Sequence, residues 1–114
     1  MLNTKEIEFI KEKLSEKFKP EKVILFGSQA RMDSDKNSDI DLLVITNTIE
    51  NRSQPAADEP QAQKLMVDMD RALKGLNYAR DIIILSSTEF ENDKLIAGTI
   101  ARYASKEGRI IYAS

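Results

Sequence analysis

The sequence predicts an α/β fold of the α+β kind, a small mixed β-sheet with helices packed mainly on one face. Three observations lead to it. Residues 23–26, 40–45 and 81–85 are short apolar runs, interrupted only by an aspartate near the start of the second and third, and read as strands covered on both faces. Around them, apolar residues recur at three- and four-residue spacing, the period of helices with one oily face. The resulting order of helix, strand, strand, helix, strand, helix packs as layers around one core. At 114 residues the chain is read as a single domain over 1–114, with little room for a second core.

The first helix, over 3–18, carries Ile7, Ile10, Leu14 and Phe18 on one face. Asn3 or Thr4 caps it and Pro20 ends it. The strand 23–26 stops at Gly27, and 40–45 is its neighbour in the sheet. Residues 46–60, polar, aperiodic and holding Pro55 and Pro60, read as an exposed mobile loop. Ala62, Leu65, Met66, Met69, Leu73 and Leu76 form a second helical stripe that Gly75 terminates. After the third strand, Ser87 or Thr88 with Glu91 gives a capped start to a helix whose stripe runs through Ile96, Ile100, Tyr103 and Ala104 to about residue 105. Gly108 marks a turn, and 109–112 is either a short edge strand or a tail packed on a partner. Tyr103, Ile110, Ile111 and Tyr112 are interface candidates, with core packing the default for Ile110 and Tyr112.

Composition narrows the chemistry. Apolar residues are 41% and charged residues 32%, with a formal charge of −2, so no general electrostatic attraction draws the chain to nucleic acid or to an anionic membrane. No apolar run approaches membrane-spanning length and the first residues lack the apolar core of a secretion signal, which predicts a cytoplasmic protein. Cysteine and histidine are both absent. That removes disulfides, thiolate and imidazole metal ligands, and Ser-His or Cys-His catalytic pairs. Chemistry must run on carboxylates, hydroxyls, basic groups and an oxygen-ligated metal.

Residues 23–45, VILFGSQARMDSDKNSDIDLLVI, concentrate those groups. Side chains alternate across a strand, so Asp39 and Asp41 share a face with Ile40 turned away. Two carboxylates held close together repel, and a hard divalent cation bound through oxygen relieves them; Mg²⁺ fits best. Asp81, at the entrance of an equally apolar strand, is placed to complete the cradle. Gly27 lets the backbone turn sharply and approach a bulky anion, and Ser28 offers a hydroxyl and a capping side chain. A helical turn over 29–32 would aim free N–H groups at that anion. Phosphate on Gly27 and Ser28 with metal on the aspartates suits phosphoryl or nucleotidyl transfer, in which one carboxylate accepts the nucleophile's proton.

Gly27-Ser28-x-x-Arg31 followed by Ser38-Asp39-Ile40-Asp41 resembles the signature of the minimal nucleotidyltransferase domain of the DNA polymerase β-like superfamily, with Asp81 where that family carries its third acid. The likeness runs over nearly the whole chain, to the EGRIIY ending. It implies the nucleotidyltransferase fold, ATP as substrate with two Mg²⁺ ions, and a HEPN-domain RNase-like toxin as partner, which the small protein neutralises as antitoxin, in some cases by transferring AMP to a tyrosine of the toxin. By the resemblance, Gly27 and Ser28 bind triphosphate, Asp39 and Asp41 bind both metals, and Asp81 binds the catalytic metal and helps activate the nucleophile. Arg31 either touches phosphate or pairs with a nearby acid. The chain departs from the pattern at Met32, where the family usually has glycine; a side chain there bears on the turn and on nucleotide affinity. Lys36 reads as surface.

Three functions are compatible with these residues. The first is protein adenylylation of the toxin, and the second is neutralisation of the toxin by binding alone. The third, nucleotidyl transfer to a small molecule such as an aminoglycoside or to RNA, is disfavoured by the lack of a second domain to form an acceptor pocket and of a basic stripe, and an acceptor site at a dimer interface would revive it. Homo- or hetero-oligomers are compatible with a domain this small.

Overall fold

The computed structural model describes residues 2–27, 39–47 and 60–114. Helix α1, Thr4–Phe18, is opened by an Asn3 capping box: the Asn3 side chain accepts from the Glu6 N–H, and Glu6 reaches back to the Asn3 N–H. The helix closes one residue before Lys19, which takes a left-handed conformation ahead of Pro20. Strand β1, Lys22–Phe26, and strand β2, Ile40–Thr46, pair antiparallel. Helix α2, Pro60–Ala72, leads to β3, Arg80–Ser86, which pairs parallel with β2. Two short helices follow, α3 over Ser87–Asp93 and α4 over Ile100–Glu107, and then β4, Arg109–Ala113. The sheet order is β3-β2-β1-β4, four strands of mixed direction.

The two long helices cover one face of the sheet and the two short helices the other. Ile10 and Leu14 of α1 and Met69 of α2 pack there with Val23, Leu25, Leu42, Val44 and Ile84. The opposite face carries Ile24, Phe26, Leu43, Ile45 and Leu85, capped by Phe90 of α3 and by Ala101 and Ala104 of α4. β1 and β2 are thus covered on both faces, which is why they read as continuous apolar runs rather than alternating ones.

Five local features differ from the sequence reading. The last helical stretch is two helices: α3 ends at Asp93, and Thr99 caps a new start at Ile100. Gly98, with φ of +89°, supplies the left-handed residue of the connection, and Ile96 is 53% exposed rather than part of a stripe. The cap of α3 is Ser86 with Glu89, one residue ahead of the predicted pair, because the hydroxyl of the last strand residue already meets the Glu89 N–H. α2 ends at Ala72, three residues before Gly75. In β4 a bulge leaves Ile111 between the pairings of Tyr112 with Val23 and Ile110 with Ile24. Ile111 therefore turns into the core, leaving Ile110 56% exposed, the reverse of the default reading for Ile110. The predicted loop gives up Thr46 to β2 and Pro60 to α2, and 48–59 lie outside the described residues.

Candidate active site

At one end of the sheet, Phe26, Asp41 and Asp81 form a row across β1, β2 and β3. Phe26 is the register partner of Asp41, and Asp41 that of Asp81. Directly paired residues project to the same side, so the two carboxylates share a face with Phe26, the face that α3 and α4 cover. The parallel pairing of β2 with β3 sets both acids at the same level, each one residue inside its strand.

Gly27 turns the chain out of β1 with φ of +77°, and a β-carbon built on it would collide with Asp41 Oδ2 and lie 3.3 Å from Asp41 Cγ. The carboxylate fills the space the missing side chain leaves. Burial, then the negative charge of Asp81, then that of Asp39 push the Asp41 carboxyl above its ordinary range. Asp39 is exposed just ahead of β2.

Arg80, next to Asp81, is held in place. Its Nε donates to Asp70 Oδ1 at 2.9 Å, its second guanidinium nitrogen donates to the Asp70 carbonyl at 3.3 Å, and the third reaches the Tyr78 carbonyl at 3.3 Å. The side chain is 13% exposed and ties the C-terminal turns of α2 to the entrance of β3. A cleft of about 830 Å³ opens beside the acids. Gly27, Asp41 and Asp81 line it together with Arg80, with Val67, Asp70 and Arg71 of α2, with Ile83, and with Ile100 and Tyr103 of α4.

The sequence reading brought Asp41, Asp81 and Gly27 together, and the structure places them side by side. Ser28, Arg31 and Met32 lie outside the described residues, as does Lys36. The sequence reading missed the Arg80 clamp and the contribution of α4 to the cleft. Tyr103 was read as a member of an apolar stripe and as an interface candidate, because nothing in a stripe says which member lines the cleft.

Among the described residues the acids at this end, Asp41 and Asp81, offer carboxylate oxygens, the donors a hard cation such as Mg²⁺ prefers. Among the described residues no three acids close into a group that could hold a metal by themselves. Mg²⁺ takes one or two carboxylates and completes its octahedron with water and phosphate oxygens, so an open pair such as Asp41 and Asp81 fits it better than a cage would. Among the described residues no helix is long and apolar enough to cross a membrane.

Residues 7–111 match the family model described as the nucleotidyltransferase domain. The chain belongs to that family. A search of curated proteins finds no match. Among solved structures, a toxin-antitoxin crystallised with AMP-PNP is similar, at 21% identity over 95% of this chain and 73% of that one, with a TM-score of 0.54. A Sulfolobus solfataricus protein assigned as a nucleotidyltransferase, solved at 1.40 Å, is 22% identical over 94% of this chain and 76% of that one, with a TM-score of 0.50. At these identities the likeness concerns the fold.

Proposed function

We propose that this nucleotidyltransferase-domain protein uses ATP and Mg²⁺ to transfer AMP to a partner protein, a tyrosine of a HEPN-domain RNase toxin, and so acts as an antitoxin. The observation that carries the reading is the register pairing of Asp41 with Asp81 at the mouth of the cleft, with Gly27 packed against the first of them. Family membership supports nucleotidyl transfer, and the toxin-antitoxin neighbour crystallised with AMP-PNP supports the nucleotide and the kind of partner.

In this reading Gly27 and Ser28 cradle the triphosphate, with Arg31 on a phosphate oxygen. Asp39 and Asp41 would hold the two Mg²⁺ ions, with Asp81 also a ligand of the catalytic one, and the ions would supply neutralisation of the charge on the triphosphate and on the leaving pyrophosphate. The acceptor hydroxyl attacks the α-phosphorus, its oxygen bonding there as the bond to pyrophosphate breaks, and the Asp81 carboxylate takes the hydroxyl proton. Asp41, held by burial and by its neighbours' charge above the ordinary carboxylate range, favours any ligand that brings positive charge.

Neutralisation by binding alone has its own supporting observation. Leu95 and Ile96, adjacent in the α3–α4 connection, are 75% and 53% exposed, apolar surface suited to a protein partner. One experiment separates the two readings. The chain is incubated with MgATP and a HEPN-domain toxin, and both proteins are weighed by intact mass spectrometry beside an Asp41→Asn control. AMP-sized additions to the toxin that vanish in the control establish the transferase. A stable complex with unchanged masses establishes masking and overturns transfer.

A further inference from the structure

Two arginines line the cleft beside Asp41 and Asp81, and the fold uses them differently. Every guanidinium nitrogen of Arg80 is committed to the protein. Nε and one terminal nitrogen donate to Asp70, and the other terminal nitrogen reaches the carbonyls of Leu76 at 3.5 Å and Tyr78 at 3.3 Å. The Asp70 carboxylate matches its charge. With Asp70 and Arg80 spent on each other, the charged groups left among the lining residues are the two carboxylates of Asp41 and Asp81 and one guanidinium, that of Arg71.

Arg71 stands in the last turn of α2, four residues after Val67, so the two share a stripe of the helix, and both line the cleft. It is exposed, and among the described residues it has no hydrogen bond or ion pair. Asp41 and Asp81 line the same cavity, yet no salt bridge joins either of them to it. A cation in a last turn complements the helix dipole, but that role needs no cavity.

Paired carboxylates suit a hard cation, and a guanidinium that no protein acid neutralises suits the oxygens of a phosphate, which its planar fork can grip two at a time. Both in one cavity of about 830 Å³ fit a polyanion that carries its own metal ion. From this we infer that Arg71 binds the phosphate chain of the nucleotide from α2, while Asp41 and Asp81 face the metal ion. The inference rests on the nucleotidyltransferase reading above and adds to it a phosphate-binding residue supplied by a helix rather than by the sheet. A contact with phosphate is blind to the base, so Arg71 contributes affinity for nucleoside triphosphates in general.

Calorimetric titration with MgATP and, separately, with magnesium tripolyphosphate tests it, because the second ligand has the phosphates and no nucleoside. Arg71→Ala should weaken both ligands roughly tenfold, the worth of one charge-assisted contact. Arg71→Gln should do the same. Alanine and glutamine are both good helix formers, so α2 is kept in each variant and the pair guards against a folding defect. Arg71→Lys should recover part of the loss, since an ammonium group keeps the charge without the fork. Lys74→Ala removes an exposed cation three residues further on that does not line the cleft, and should leave both affinities at the parent's level. Parent-like binding of both ligands by Arg71→Gln, or an equal loss in Lys74→Ala, overturns the inference and leaves the nucleotidyltransferase reading standing. So does a loss confined to MgATP, which would put Arg71 on the nucleoside. A parent protein that binds neither ligand removes the nucleotidyltransferase reading, and the phosphate contact with it.

Discussion

The Asp41 carboxylate lies where a β-carbon on Gly27 would have to sit, so the glycine that ends β1 and the acid near the start of β2 are fitted to each other. Gly27→Ala is expected to suffer twice. The left-handed φ of +77° costs an L-residue about 1–2 kcal/mol, and the new methyl pushes Asp41 out of register with Asp81. The melting temperature should fall by several degrees. Magnesium-dependent nucleotide binding should fall beyond what that destabilisation explains. A variant that melts and binds like the parent would show that the carboxylate can move without consequence.

Asp41 also ties stability to pH. Burial and the charges of Asp81 and Asp39 raise its folded-state pKa above the unfolded value. Its contribution to stability is therefore full below the ordinary carboxylate range and is lost as pH rises through the raised value. Without metal, Asp41→Asn should be more stable than the parent near pH 7, and the advantage should shrink as pH falls toward about 4 and the parent's carboxyl takes up its proton. Added Mg²⁺ should stabilise the parent and do less for the variant. Urea denaturation at both pH values, with and without MgCl₂, reads all of this. A parent more stable than Asp41→Asn at neutral pH without metal would contradict the charge crowding.

How much of this was legible in advance depended on whether local sequence or packing decides an element. The strands around Leu25, Leu43 and Ile84 were legible because burial on both faces leaves unbroken apolar runs. Asp41 and Asp81 stood out for the same reason, as charges in those runs. The pairing of these two acids was not legible, since strand order and register are tertiary facts. The division between α3 and α4 was missed because Ile96 and Ile100 keep helical spacing while Gly98 and Thr99 between them act as stop and cap. Ile110 and Ile111 look identical in sequence, and a bulge opposite Val23 and Ile24 decides which one is buried. Tyr103 joined the cleft by a ring contact with Phe26, 77 residues earlier in the chain by the numbering, which no local pattern encodes.

Arg80 links α2 to the strand that presents Asp81. Its removal frees an Asp70 carboxylate and a set of carbonyls that it now serves. Because Asp70 is half exposed, solvent recovers part of the loss, and Arg80→Ala should cost about 1–2 kcal/mol. Arg80→Lys should recover little, since an ammonium group cannot span Asp70 and the Tyr78 carbonyl together. Asp70→Asn keeps an acceptor for Nε and should cost less than either. Equal unfolding midpoints for the parent and Arg80→Ala would reduce the clamp to an incidental surface pair.

Thr99 controls where α4 begins, and with it the placement of Ile100 and Tyr103 in the cleft. Its hydroxyl accepts from the Arg102 N–H at 3.1 Å and lies 2.7 Å and 2.9 Å from the carbonyls of Asp93 and Ile96, so one proton serves the end of α3 while the lone pairs serve the start of α4. Thr99→Ala should cost about 1 kcal/mol, the usual value of such a cap, and Thr99→Ser should restore most of it. Thr99→Val keeps the shape and loses the hydroxyl, so it should resemble alanine. The thermal shift alone reports a cap. Because α4 supplies both Ile100 and Tyr103 to the cleft, the alanine and valine variants should also bind MgATP more weakly than their melting temperatures require. A loss of stability with the MgATP affinity intact would mean that α4 is held in the cleft by the packing of Ala101 and Ala104 alone.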